Sequence, residues 1–230
     1  MYSANDINAV HFTMIDSHRY GNIYEQMLKL RYKGFIQEEE YQDAHNYNGY
    51  EFDQYDTPNT HYVGITLKGQ LIAMSRLNRV DHSIIYKSLD LTGDKKTITV
   101  SYMVKDQWGN KIPPKFLSLA HSTHELTRLY VDSSLNFLER SHIQNAIVVA
   151  TYILSIKIHC EAWVYVTTPS IHNAAHKLGI NVTNECNIII DEKNVRLATV
   201  SVEMDSIDGI LSNLYKRTQI NLTPFVQNIL

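Results

Sequence analysis

A chain of 230 residues, 44% hydrophobic and 20% charged, has the composition of an ordinary globular domain, large enough to bury a core without a metal or disulfide staple. A formal net charge of −3 gives no electrostatic reason to expect nucleic acid or a membrane surface as partner. Cys160 and Cys186 lack CxxC spacing, which fits reduced thiols in a cytoplasmic protein, although a single disulfide stays open. The N-terminal Met1-Tyr2-Ser3-Ala4-Asn5-Asp6 has neither the basic start nor the apolar core of a signal peptide.

From about residue 22 to 37, Ile23, Met27, Leu28, Leu30 and Phe35 recur with a rough helical period. Arg31 and Phe35, four apart, share a face of that predicted helix. The polar stretch from Tyr41 to Asn59 reads as a long loop, and long loops within compact domains are often functional. His61 to Lys68 and Leu71 to Leu77 alternate around a Lys68-Gly69-Gln70 turn, which predicts a β-hairpin. Asp90 to Lys115 holds another β-like run, Thr97 to Val104, expected as a hairpin inserted at the surface.

His124 to Val131 is a predicted strand, followed by an apolar helix from Ser141, a good N-cap, to about Ile158. Its apolar core, Ala146 to Ile156, is too short to span a bilayer. Ala162 to Thr167 reads as a buried strand and Ser170 to Leu178 as a short helix stopped by Gly179. Strands at Asn187 to Ile190 and Val195 to Val202 precede a helical or irregular tail. The strand–helix alternation from about 124 to 180 implies parallel pairing with right-handed crossovers. The expected organisation is one domain over 1–230, with 90–115 a surface insertion and 205–230 a C-terminal appendage.

His121 and His124, three apart on a strand, point to opposite faces and do not ligate one ion, so no metal site is expected. GxGxxG, Walker-type loops and a nucleophile elbow are all missing, which leaves dinucleotide, P-loop and hydrolase-triad chemistry unsupported. Glu51, Asp53 and Asp56 taken alone suit a turn. Glu125 and Arg128 face opposite ways on a regular strand, so a shared site requires a β-bulge or a strand end between them. A bulge would also free backbone N–H groups, donors that can stabilise an oxygen as it becomes negative.

Taken in order, Arg31-x-x-x-Phe35, Tyr41, Asp53-x-x-Asp56, Arg76-Leu77 and Glu125-x-x-Arg128 resemble the acyl-homoserine-lactone synthase (autoinducer synthase) family, over about residues 25 to 200. The downstream Val164-Tyr165-Val166-Thr167-Thr168-Pro169 is similar too. Three features depart from the family pattern: tyrosine in place of the usual tryptophan at Tyr41, Leu129-Tyr130 where Phe is common, and a longer insertion at 90–115.

The resemblance implies an α/β (α+β) GNAT-like acyltransferase fold, a three-layer αβα sandwich whose mixed central sheet splays into a V that holds the acyl carrier. It implies acyl transfer from an acyl–acyl carrier protein, or acyl-CoA, to the amine of S-adenosylmethionine. Lactone closure then releases methylthioadenosine and yields a quorum-sensing signal. S-adenosylmethionine is a substrate there and no cofactor is expected.

Under that resemblance Glu125 is the candidate base, with Arg128 orienting it or the substrate. Arg31, Phe35, Tyr41, Asp53, Asp56 and Arg76 are expected to hold S-adenosylmethionine. Leu129, Val149, Ile153, Val166 and Thr167 are expected along the acyl chain. The absence of a Gln/Arg-x-x-Gly-x-Gly/Ala loop before the helix at Ser141 favours a protein-carried donor, with Arg140 and Lys177 as basic contacts. The alternative reading is an N-acyltransferase of the same fold acting on another amine, such as an amino acid.

Overall fold

The computed structural model describes residues 6–38, 45–80, 85–89, 95–99, 103, 110–116, 119, 122–190 and 192–230. Seven strands form the central sheet: β1 (Ile7–Thr13), β4 (His61–Leu67), β5 (Gln70–Arg79), β8 (Thr123–Val131), β9 (Ala162–Thr167), β11 (Lys193–Ser201) and β10 (Val182–Ile190), in that spatial order. All neighbours are antiparallel except β8 and β9, which are parallel and joined through helix α2 (Phe137–Lys157). The expected mixed sheet is therefore present.

Strand alternation divides the buried side chains between the two faces of the sheet. On one face Ala73, Leu77, Leu126, Trp163 and Tyr165 meet α2, which also buries Ile147, Ala150 and Leu154. Apolar nearly all round, α2 is covered on its far side by α4 (Ile207–Thr218) and α5 (Thr223–Ile229), which contribute Ile210, Leu214 and Phe225 to the same core. The segment expected as an appendage thus completes the layer over α2. On the other face α1 (Ile23–Arg31) brings Met27 and Leu30 against Phe12, Tyr62, Leu71 and Met74. Farther along that face Val164, Ile188 and Leu197 pack with Ile112 and Phe116.

Local chemistry explains where the elements differ from expectation. Helix α2 begins at Phe137, not at Ser141, because Asn136 Oδ1 accepts from Glu139 N at 3.0 Å while Asn136 N donates to Glu139 Oε2 at 3.2 Å. This Asn-x-x-Glu capping box satisfies two end donors reciprocally and leaves Ser141 a turn inside the helix. The stretch expected as one long loop contains a small hairpin, β2 (His45–Tyr47) and β3 (Tyr50–Phe52). Its turn is Asn48-Gly49, with φ of 50° and 83°, the left-handed pair that a two-residue hairpin demands. In the insertion β7 (Lys95–Thr99) lies slightly N-terminal to the expected run, whose end at Val104 falls outside the described residues, and it pairs with β6 (Ile85–Leu89), which precedes the expected insertion.

Two irregularities in β8 position the candidate site. The β5–β8 register passes from Arg76↔Thr127 to Met74↔Tyr130, so Arg128 and Leu129 stand opposite the single residue Ser75. Arg128 takes a φ of 51°, rare for a residue with a side chain, and this is the bulge that the Glu125–Arg128 spacing required. On the other edge, the β8–β9 ladder runs through Thr123↔Ala162, His124↔Trp163 and Glu125↔Val164 and then stops, although both strands continue. The two arms separate at Glu125.

Candidate active site

The N-terminal islands converge on the bulge. After α1 the chain continues as a π-helical turn, Tyr32–Glu38, with Arg31 and Phe35 buried beside β8. Gly34 lets this turn approach closely, since a Cβ there would lie 2.5 Å from the Tyr130 ring. Arg31 Nε donates to Glu51 Oε2, and Arg31 Nη1 donates to Asp56 Oδ1 at 2.8 Å. From β5, Arg76 Nη1 reaches Asp53 Oδ1 at 2.6 Å and Asp56 Oδ1 at 2.9 Å, while its Nε donates to Thr127 Oγ1 at 2.9 Å. From the bulge, Arg128 Nη2 lies 3.0 Å from Glu51 Oε1 and 2.9 Å from Asp53 Oδ2.

Three guanidinium groups and three carboxylates therefore form one buried lattice across α1, β3, the following turn, β5 and β8. The Arg31 and Arg76 side chains are 0% exposed, and charges this deep are tolerable only when paired. Burial opposes ionisation of Asp56, but the Arg31 and Arg76 guanidinium groups prevail and hold its carboxyl well below the usual range. Asp53 is likewise lowered, Arg76 and Arg128 outweighing burial and its neighbour Asp56. Tyr62, whose hydroxyl donates to Asp56 Oδ1 at 2.8 Å, is pushed up by burial and by that carboxylate.

The lattice reaches Glu125 through Met103. Met103 N donates to Glu125 Oε2 at 2.8 Å, and Met103 Sδ lies 3.7 Å from Arg128 Nη1. The Arg128 guanidinium also stacks 5.0 Å from the Phe35 ring centroid. Arg31, Phe35, Asp53, Asp56, Arg76, Glu125 and Arg128 thus belong to one neighbourhood, whereas Tyr41 lies outside the described residues. Arg76 Nη2 is buried without a hydrogen-bond acceptor among the described residues, and so is Arg31 Nη2, which keeps only a longer ion pair with Asp53 Oδ2 at 3.7 Å. Such orphaned donors cost about 1–3 kcal/mol each, more when charged, and are suited to meet an incoming anion.

Glu51, Tyr62, Thr127 and Met103 also join the neighbourhood, beyond the residues expected from the sequence. Glu51 and Asp53 are two apart at the end of β3, a spacing that puts two carboxylates on one side of an extended chain. That signal was available, but Met103 carried none. The five acyl-chain candidates do not meet at one place. Val149 and Ile153 are fully buried on α2 and Leu129 packs beside them, while Val166 packs with the cluster on the opposite face and Thr167 ends β9 half-buried. Alternation along β9 is the reason, since Trp163 and Tyr165 point to the α2 side and Val164 and Val166 away from it.

His121 lies outside the described residues, and His124 is a buried ring that belongs to no group of three metal-ligating side chains among the described residues. Burial pulls its imidazole down to about 4, as burial and the neighbouring His61 do for His11. Both rings are neutral in the folded chain near neutrality but protonate around 6.5 once unfolded. The unfolded state binds more protons across that window, so this stability is complete above about pH 6.5 and is lost as pH falls towards about 4. Denaturant midpoints are expected to be lower at about pH 5 than at about pH 7, with the difference reduced in His124→Gln. Equal midpoints at both pH values would contradict this.

The chain is 27% identical over 160 residues to an acyl-homoserine-lactone synthase of Vibrio anguillarum, an alignment covering 68% of this chain and 73% of that one. No family model matches. Among solved structures, the CoA-dependent acyl-homoserine lactone synthase BjaI, with S-adenosylmethionine and isopentyl-CoA, superposes at a TM-score of 0.70 with 14% identity, covering 93% of this chain and 90% of that one. The synthase LasI superposes at 0.60 with 19% identity over 90% of this chain and 94% of its own. The fold is that of the acyl-homoserine-lactone synthases, as the sequence resemblance implied.

Proposed function

We infer that the chain is an acyl-homoserine-lactone synthase, transferring an acyl group from a carrier thioester to the α-amine of S-adenosylmethionine and releasing methylthioadenosine as the lactone closes. The observation that carries this reading is the junction of the buried Arg/Asp/Glu lattice with Glu125 at the point where β8 and β9 part. A cationic amine substrate and an acyl thioester have to meet, and the two halves of the site offer what each needs.

In this reading Glu125 takes the proton from the amine, directly or through one water, as nitrogen attacks the thioester carbon. Past Glu125 the β8 backbone is no longer committed to the ladder with β9, so its N–H groups on that side are available to the developing oxyanion. The tetrahedral intermediate collapses with the carrier thiolate leaving. The methionyl carboxylate then attacks its own γ-carbon, the C–S bond breaks, and methylthioadenosine departs. This second step needs a folded substrate conformer more than an added catalytic group.

Arg31 and Arg76 brace Asp53 and Asp56, and their orphaned Nη2 donors are our candidates for the methionyl carboxylate. Phe35 and the acids complement the sulfonium, with Tyr41 assigned beside them on the family resemblance. The acyl chain is assigned to the opening between the arms, with Leu129 on the α2 side of the sheet, Val166 on the opposite face and Thr167 at the end of β9. Val149 and Ile153 lie deeper, along α2.

A protein-carried donor is favoured over CoA. The turn from Asp132 to Asn136 contains no glycine to let a pyrophosphate approach the α2 N-terminus, and Glu139 places negative charge there. Phe137, 89% exposed, sits near Arg140 on the first turns of α2 and offers apolar and basic contact to an acidic carrier. Cys160 and Cys186 are both free thiols, which accords with a cytoplasmic setting, and among the described residues no helix is long and apolar enough to cross a membrane.

Mass spectrometry of extracts from a host expressing the chain is expected to reveal N-acyl homoserine lactones absent from the control. Acylated amino acids in their place, with no methylthioadenosine released, would instead establish the acyltransferase alternative.

A further inference from the structure

Away from the reaction site, two elements beyond the separated end of β9 direct metal-binding atoms at one point. Helix α3 (Pro169–Leu178) carries His172 and His176, four residues apart and therefore on one face. The edge strand β10 supplies Glu185. His172 Nε2 lies 2.6 Å from Glu185 Oε2 and 3.1 Å from His176 Nε2, and His176 Nε2 lies 3.8 Å from the same carboxylate oxygen. We propose that His172, His176 and Glu185 bind a divalent transition-metal ion of the zinc class, with water in the fourth position.

Three observations support the assignment. Tetrahedral coordination with bonds of about 2.0–2.1 Å separates ligand atoms by about 3.3 Å, and the three separations here bracket that value. Two imidazoles and one carboxylate suit zinc and its neighbours, whereas calcium and magnesium take oxygen ligands. His172 is also held in the manner of a ligand. It is 2% exposed, and its Nδ1 sits 3.1 Å from the Tyr165 hydroxyl, so an Nδ1–H donated to that oxygen leaves the Nε2 lone pair for a metal.

Proton counting points the same way. The His172 Nε2 faces both the Glu185 oxygen and the His176 Nε2, so a single Nε2–H directed at Glu185 leaves the contact with the His176 nitrogen unfilled. A cation satisfies all three atoms together. The bound ion would fasten α3 to β10 beside Tyr165, on the part of β9 that no longer pairs with β8. Among the described residues this is the one group of three such ligands.

The test uses the full chain freed of metal with a chelator, titrated calorimetrically with Zn²⁺ and by visible absorption with Co²⁺. The expected result is one ion per chain, four-coordinate ligand-field bands with Co²⁺, and a higher thermal midpoint in excess Zn²⁺. His176→Ala and Glu185→Gln, both at roughly half-exposed positions, are each expected to weaken binding at least about tenfold while leaving the circular dichroism unchanged. The double variant is expected to lose the shift in midpoint. Lack of stoichiometric binding would overturn the proposal. So would binding that survives the double variant, including binding that disappears instead with His11→Ala at the His11–His61 pair.

Discussion

Glu125→Gln is expected to lower turnover by about 10²–10⁴-fold while the chain remains folded and S-adenosylmethionine still binds. Gln keeps the shape of the side chain and an acceptor for Met103 N but cannot take a proton from the amine. The carboxylate is fully buried at the last β8–β9 pair, so no bulk solvent stands ready to replace it. The loss should therefore appear in kcat, with little change in KM for S-adenosylmethionine and in the thermal midpoint. A Gln variant retaining more than about a tenth of wild-type kcat would remove Glu125 from the role of base.

The largest stability effect is expected at Asp56. Its carboxylate accepts from Arg31 Nη1, Arg76 Nη1, the Tyr62 hydroxyl and Asp53 N, all at 2.8–2.9 Å. Asp56→Ala would leave two guanidinium groups buried with too little counter-charge, which typically costs about 3–5 kcal/mol. In a chain of this size that corresponds to a fall of about 10 °C in thermal midpoint. Asp56→Asn, retaining shape and an acceptor, should lose less.

The pH dependence separates this network from the histidines. Asp56 is lowered in the folded state, so its contribution is complete above the unfolded carboxylate value of about 3.8 and fades only as pH falls through the lower folded value. The Asp56→Ala deficit should therefore be the same at about pH 5 and about pH 8. A deficit under about 1 kcal/mol would mean that the ion pairs behave as solvated surface pairs.

Both predictions rest on features read from the chain to different depths. The strand β9, the hairpin of β4 and β5, and the helix stopped by Gly179 were legible because periodicity and turn chemistry agree at those positions. The irregularity at Arg128 was legible as one of two alternatives, a bulge or a strand end, since a Glu/Arg pair three apart on a regular strand faces opposite ways. The Asn48-Gly49 hairpin and the Asn136 capping box also had local signatures, but a polar stretch and a plausible serine cap drew attention elsewhere.

Other features had no local signature at all. Met103 reaches Glu125 from 22 residues upstream, and only tertiary packing brings it there. The division of the acyl candidates between two faces follows from where β9 sits in the sheet, which alternation alone does not reveal. The His172–His176 spacing was visible in the sequence, whereas Glu185 joins it only because β10 returns beside α3.

The proposed reaction requires the Arg31–Asp53–Asp56–Arg76 lattice to deliver the amine of S-adenosylmethionine to Glu125. A crystal structure of the chain with S-adenosylmethionine tests this most directly. It is predicted to show the sulfonium near Phe35, the carboxylate on the Nη2 atoms of Arg31 and Arg76, and the amine about 3 Å from the Glu125 carboxylate or one water away. An amine turned away from Glu125, or a substrate seated apart from the lattice, would contradict it.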